Sequence, residues 1–439
     1  MQNNFHFIYF CRIFTTIAVI GFINVTHAQI RVDQNNNVGI GTSSPASKLH
    51  IVGRITPKFP NADKDNIAIG AGAGNTSQTG INNILFGYEA GKSIISGNNN
   101  FFAGYRSGQA FTQNQFGGNI FIGEDVGYYS TSGSDNILLG KFAGKRYINP
   151  SNIIAIGQKA GGGGLTASFS NIGPSVFIGG LSGQFCAGNY NVMVGYASGF
   201  SNTTGSNNVN LGYWAGSANT TGSKNLFIGT NSGNMNQTGE KIICIGDQSN
   251  TNSANLINST AIGSSSIVNA SNKIWLGNTT TEYIGGLLSW NTPSDALFKE
   301  NISGNVPGLA FISLLQPKSY TFNTKKFTEH LVQMMPDSMQ QKYLSEDFGA
   351  SSAIRRTGFL AQEVDEACNT IGYDFDGITK PDPENPTSHY SISYASFVVP
   401  LVKAVQEQQV LIISLQDANA EKTAQINDLL ARVAALEKK

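Results

Sequence analysis

Apolar residues over most of the chain recur on a fixed ruler. The phrase is an asparagine, a short apolar run and a glycine. Clear copies are Asn66-Ile67-Ala68-Ile69-Gly70, Asn83-Ile84-Leu85-Phe86-Gly87, Asn136-Ile137-Leu138-Leu139-Gly140, Asn208-Val209-Asn210-Leu211-Gly212 and Asn225-Leu226-Phe227-Ile228-Gly229. The closing glycine falls at 70, 87, 104, 123, 140, 157, 179, 195, 212, 229, 246, 263 and 277, and eight of the twelve intervals are 17 residues. A fixed period of this size marks a repeat architecture. Positions one and three before the glycine are apolar in nearly every copy. Alternation at period two puts both on one face of a short strand, the face expected to be buried. The glycine permits a bend or a positive φ. A small pair follows it, as in Ala90-Gly91, Ser107-Gly108, Ala143-Gly144 and Ala215-Gly216, and suits close approach of backbones. The leading asparagines are placed to stack as an amide ladder. One repeat cannot bury its own apolar pair, so copies must stack or associate. Thirteen rungs at about 4.8 Å predict a rod of roughly 60 Å.

A second pattern starts near Ser396. One heptad register puts Val398, Val405, Ile412, Asn419, Ile426 and Val433 at a, with Leu401, Gln408, Leu415, Lys422, Leu429 and Leu436 at d. Nine of these twelve are apolar, which predicts a coiled coil. Asn419 in the seam fixes register at some cost in stability, and β-branched a with Leu at d favours parallel dimers in simple peptides. Between the two patterns, Leu309–Leu315 reads as a helix end, Pro317–Phe322 as a strand, Thr324–Arg356 as a polar insertion, Gly358–Cys368 as strand into helix, and Asp374–His389 as an acidic loop.

Composition sharpens the boundaries. The chain has 439 residues, 50 of them glycine, with 13% charged and zero formal net charge, so nothing points to nucleic acid as a partner. Residues 294–439 hold 18 of the 28 acidic and 13 of the 28 basic side chains, which marks a domain boundary near 290. Met1–Ala28 reads as a secretory signal: Arg12, the apolar run Ile13–Val25, and the small-residue site Thr26-His27-Ala28. The run is short for a membrane span, and the expected mature chain is secreted or displayed at the cell surface without a transmembrane segment. The predicted layout is therefore 1–28 signal peptide, 29–64 N-terminal cap, 65–278 β repeats, 279–293 neck, 294–395 a small α+β domain and 396–439 coiled coil.

Candidate chemistry is sparse. Cys186, Cys244 and Cys368 show no disulfide framework and no metal spacing, and read as buried small apolar residues. Gly87-Tyr88-Glu89-Ala90-Gly91-Lys92-Ser93 imitates a phosphate loop, but has one residue too few between its glycines and repeats in every copy. Asp374, Asp376, Asp382 and Glu384 lack the tight alternation of a calcium loop. No metal and no cofactor is expected. Glycosidases need paired carboxylates, and residues 65–293 carry eight acidic side chains, spread widely. Tyr88, Tyr105, Tyr196 and Tyr213 follow the repeat glycine in four copies; they read as surface aromatics or as stripes on which a glycan could stack. His330 and His389 read as loop residues. The remaining candidate is Ser294-Asp295-Ala296-Leu297-Phe298-Lys299-Glu300-Asn301-Ile302. Ser-Asp ahead of Lys299-Glu300 is a fitting helix N-cap. It is equally a serine with a lysine near enough to act as its base.

Three resemblances extend this reading. The opening, Val38-Gly39-Ile40-Gly41-Thr42-Ser43-Ser44-Pro45 with Lys48-Leu49-His50-Ile51, resembles the N-terminal cap of exported bacterial fibre and surface proteins and carries two short strands. The repeats resemble the heads of trimeric autotransporter adhesins and the shafts of phage tail fibres, which implies three chains completing one another's core; a single-chain β-solenoid is the alternative. Residues 294–439 resemble the C-terminal intramolecular chaperone domain of phage tail spikes first associated with endosialidases, a self-cleaving serine peptidase family. The first phrase carries Ser294, Asp295, Lys299 and Ile302, with Leu297 where that family has arginine. The second is Gly358-Phe359-Leu360-Ala361-Gln362-Glu363-Val364, and the third runs from Tyr394 through Val405. The resemblance implies Ser294 as nucleophile, Lys299 as general base and Pro293–Ser294 as the scissile bond, with Asp295, Gly358, Phe359, Gln362 and Glu363 as supporting motif positions. It also implies a homotrimer whose chaperone is cut off and released after assembly. A plain adhesin or stalk with an inert chaperone is the alternative, and a cell-surface or glycan ligand is left unidentified.

Overall fold

The computed structural model describes residues 30–40, 44–51, 66–112, 117–162, 172–287 and 290–437. The expected signal Met1–Ala28 lies outside them. In the N-terminal unit, Ile30–Val32 runs antiparallel to Val38–Ile40, which pairs in parallel with Leu49–Ile51. The two strands expected there are present, with a third ahead of them.

Residues 67–276 form a β-solenoid. Its main face is one sheet of 13 short parallel strands, stacked in sequence order from Ile67–Ile69 to Ile274–Leu276. Pairing is in register: Ile84 faces Ile67 and Phe101, and Val209 faces Val192 and Leu226. Two devices hold that register. At Asn83, the backbone N–H and Nδ2 both donate to Asn66 Oδ1 (2.8 and 3.0 Å), while Nδ2 also donates to the Gly97 carbonyl (2.7 Å). The pattern continues through Asn100, Asn119 and Asn136, so the expected ladder exists there; at Asn208 and Asn225 the backbone N–H donates to the preceding asparagine's Oδ1. Each such bond contributes about 1 kcal/mol and would cost more if left unmade. The second device is the glycine row. Gly212 has φ +138°, and a Cβ there would lie 2.6 Å from the Gly229 carbonyl oxygen of the next coil.

The buried face differs from the expectation. The residue two before the glycine points inward: Leu85, Phe102, Phe121, Leu138, Phe177, Met193 and Phe227 are fully buried. The pair one and three before it faces outward, as with Phe86 at 43%, Ile120 at 38% and Ile122 at 40% exposed. Both alternating sets are apolar, as in parallel sheets covered on both faces, so period two alone cannot choose between them. The core is also filled from within one chain. Small residues from the corner, such as Ala90, Ala143 and Ala215, meet the inward strand residues. The single-chain solenoid therefore replaces the expected core shared among three chains. Asn210 occupies an inward position between Met193 and Phe227 and finds no hydrogen-bond partner for either amide atom among the described residues.

The C-terminal region is α/β. We label its helices α1 (Leu309–Ile312), α2 (Thr324–Val332), α3 (Asp337–Leu344), α4 (Gly349–Ala353), α5 (Ala361–Ile371) and α6 (Val398–Leu436). Strand Lys318–Thr321 pairs antiparallel with Arg355–Gly358. Its core is Phe311, Val364, Ala367, Cys368, Phe375 and Phe397. The polar insertion is not a loop: it folds into α2, α3 and α4, and His330 sits on α2. Asn323 caps α2 by accepting from the Lys326 N–H (2.8 Å). α6 is 39 residues long, and burial touches only Pro400 and Ala404, near its start. The three cysteines are buried and free, and burial raises Cys186 to about 11 and Cys244 to about 12.

Packing sets the sign of two stability effects. Gly212→Ala is expected to lower stability by roughly 2 kcal/mol, through backbone overlap and forced positive φ. Asn210→Leu is expected to raise it by about 1–3 kcal/mol by removing a buried unpaired amide. Denaturant midpoints of the two variants check both signs. A third outcome concerns His389. Burial lowers its pKa from 6.5; the Thr387 carbonyl works the other way, and Lys273 and His330 lower it further. The folded state therefore favours the neutral ring. Stability holds above about pH 6.5 and falls as the pH drops below it, because the unfolded chain binds a proton that the folded ring resists. His389→Gln should flatten that slope in pH-dependent unfolding.

Candidate active site

The first candidate phrase lies in an exposed connection. The described residues from Thr281 to Asn305 are all exposed. The polypeptide makes one short 3-10 turn, Ala296–Phe298, and Asp295 caps it: its Oδ1 accepts from the Leu297 N–H at 2.9 Å. The capping reading therefore holds, with the cap at Asp295. Ser294 is left with its hydroxyl free of that duty. After the turn the chain is extended at Lys299 and brings the amine back. Lys299 Nζ donates to Ser294 Oγ at 2.7 Å. A turn of three residues thus sets two groups five positions apart within hydrogen-bond distance. Leu297, Phe298 and Ile302 flank the pair at 80%, 78% and 75% exposure.

The other two phrases come together elsewhere. The Phe359 N–H donates to the Tyr394 hydroxyl at 3.1 Å. A Cβ on Gly358 would overlap that same hydroxyl, which explains glycine there. Phe359 stacks on Phe397 with ring centroids 5.4 Å apart. Glu363 pairs with Lys318, and its Oε2 is buried without a partner among the described residues. Gln362 is exposed. The second and third phrases therefore build the domain's core, while Ser294, Asp295 and Lys299 stand apart from it. Sequence reasoning missed one positioning group: Glu407 Oε2 accepts from the Leu309 N–H at 2.8 Å, tying α6 to the start of α1. Gly308, which closely abuts Ala404 and Glu407, was the available signal.

Residues 294–373 match the chaperone of endosialidase family. The match covers the first two phrases and ends before the third. It describes the C-terminal region and leaves the solenoid outside it. No curated protein and no solved structure matches the chain significantly. This family is a self-cleaving, serine-peptidase-like chaperone domain. A chaperone domain of this kind behind a β-solenoid points to a fibrous, tail-spike-like protein.

Two other surfaces bear on function. Tyr88 stacks on Tyr105 (5.2 Å) and Tyr196 on Tyr213 (5.7 Å), so in each pair one ring face is already taken by its neighbour. The helical stretch Tyr394–Leu436 is long and apolar enough to cross a membrane by length and composition. Its first turns are packed on α1 through Ala404 and Glu407, and its seam residues Val405, Ile412, Leu415 and Leu429 are about half exposed.

Proposed function

We propose that the chain is an exported fibre protein whose C-terminal domain gathers three copies and then cuts the backbone between Pro293 and Ser294. The observation that carries the peptidase reading is the 2.7 Å contact between Lys299 Nζ and Ser294 Oγ in an exposed connection. Export is supported by the signal-like Met1–Ala28.

The chemistry needs a neutral Lys299. Its amine takes the Ser294 hydroxyl proton as Oγ attacks the Pro293 carbonyl carbon. An Oγ–C bond forms, the C–N bond breaks, and the proton passes to the departing Ser294 nitrogen. Water then hydrolyses the ester, leaving a Pro293 carboxylate and a free Ser294 amine. An ammonium in water cannot start this sequence; desolvation favours the neutral amine. Leu297, Phe298 and Ile302 are apolar and uncovered, and burial of that patch by neighbouring copies would dry the lysine. Cutting thereby waits for assembly.

Self-association rests on two uncovered apolar surfaces in one chain. One is the double row on the outer face of the solenoid sheet, including Ile120, Ile122, Ile178 and Val192. The other is the a/d seam of α6. A long helix with an exposed apolar seam gains most of its stability from a partner. Gathering copies at α6 raises the local concentration of rods whose outer rows are self-complementary.

Wild type is expected to yield fragments of about 265 and 146 residues, counted from Gln29 and cut at 293/294, on a denaturing gel. Ser294→Ala and Lys299→Arg should slow this by about 100-fold or more, since arginine stays charged. Equal full-length bands in all three would end the peptidase reading. Ile412→Asp in the α6 seam should reduce native mass toward that of a monomer and slow the cut with it. Unchanged mass by light scattering would remove the helix from assembly.

A further inference from the structure

The connection that would be cut is not the only attachment between the C-terminal region and the solenoid. α2 and α3 form a hairpin that lies against the last coils. Met235 and Ile267 of the solenoid share one buried cluster with Val332, Met335 and Tyr343 of the hairpin, and Met339 and Leu344 pack at its edge. This cluster is separate from the domain's own core around Phe311 and Phe397.

Polar contacts close the same surface. The Tyr343 hydroxyl donates to the Gln248 carbonyl at 2.6 Å. Asn252 Nδ2 donates to Thr387 Oγ1 at 2.6 Å, and Asn269 Nδ2 to the Thr387 carbonyl at 2.8 Å. Asn385 Nδ2 returns a bond to the Asn269 carbonyl at 2.7 Å. Thr387, Asn252 and Asn269 are essentially buried. The loop carrying Thr387 is braced against the hairpin, since His330 Nε2 lies 2.9 Å from the Thr387 carbonyl and Gln333 Nε2 donates to the Pro386 carbonyl at 2.9 Å. At the end of the rod, Trp275 meets Phe327, and Thr279 Oγ1 lies 2.9 Å from Thr328 Oγ1.

We infer that this hairpin and the Asn385–Thr387 loop are a clamp for the last three coils, so that scission at 293/294 leaves the C-terminal region bound as a cap on the rod, where the resemblance alone implies its release. The insertion has a sidedness that only this role explains. Val332, Met335 and Tyr343 face the solenoid, and the covalent connection is exposed along the whole described length from Thr281 to Asn305, so the connection adds no packing. A solenoid end must be covered, because its last coil lacks a neighbour for its open backbone groups and core. The clamp supplies that cover non-covalently. It rests on the proposed cut and fixes the fate of the C-terminal region once that cut is made.

The test does not require the chain to cut itself. In a full chain carrying Ser294→Ala, a foreign protease site is placed between Trp290 and Asn291 and cleaved to completion. The expected result is that both fragments co-elute in native size exclusion at micromolar concentration. Separation of the two fragments would overturn the clamp and leave the self-cleavage reading untouched. The same chain with Val332→Asp should separate after cleavage. Thr387→Gly, a milder change, should speed exchange against labelled C-terminal fragment by at least tenfold. Circular dichroism before cleavage verifies that each variant is folded. Co-elution of the folded Val332→Asp fragments, with exchange in Thr387→Gly as slow as in the parent, would overturn the assignment of the hairpin.

Discussion

The structure depends on how closely one coil can approach the next. At the repeat glycine, the carbonyl of the following coil occupies the place a Cβ would take, so the backbones touch without side chains between them. That approach lets thirteen strands pair in register and brings the strand-leading asparagines within reach of one another. Each asparagine then satisfies backbone groups on its neighbours that would otherwise be buried unpaired. The small corner residues, Ala90 and Ala143 among them, follow from the same closeness, because the space beneath the glycine corner is filled by the large inward residue of the strand.

A narrow coil has a second consequence. With one inward residue in each three-residue strand, the two flanking residues must point out, and they too are apolar. The rod thus closes its own core and still presents hydrocarbon along a whole face. α6 repeats the situation at the other end of the chain: a helix with a mainly apolar seam, interrupted at Gln408, Asn419 and Lys422, and little to cover it. Between the two stands a serine–lysine contact in open solvent. In the proposed assembly, burial by copies of the same chain would cover the outer rows, the helix seam and the serine–lysine contact together.

Much of this is legible in the residues. The period, the glycine row, the amide ladder, the α/β region and the long helix all follow from spacing and residue type. So does the Ser294–Lys299 pairing, since a single turn capped by Asp295 covers the distance. The buried face is not legible, because Ile84 and Phe86 are as apolar as Leu85, and alternation has no sign. The insertion carries no helical signature, so that His330 reads as a loop residue, because its helices are short and polar on average. The residues that matter, Val332, Met335 and Tyr343, gain meaning only against Met235 and Ile267, which lie far earlier in the chain. Asp295 illustrates a different limit: the Ser-Asp pair offers two possible caps, and only the geometry shows that Asp295 takes the cap and leaves the Ser294 hydroxyl to Lys299.

In-register pairing across coils that mostly share one length, 17 residues in eight of twelve intervals, also bears on how such a protein changes over generations. Most coils meet their neighbours through the same glycine contact, and those led by asparagine through the same amide, so a duplicated or lost unit of that kind finds a matching seat on both sides. The length of the rod can therefore be adjusted in discrete steps of one coil, while the clamp, which reads only the final coils, is indifferent to the count.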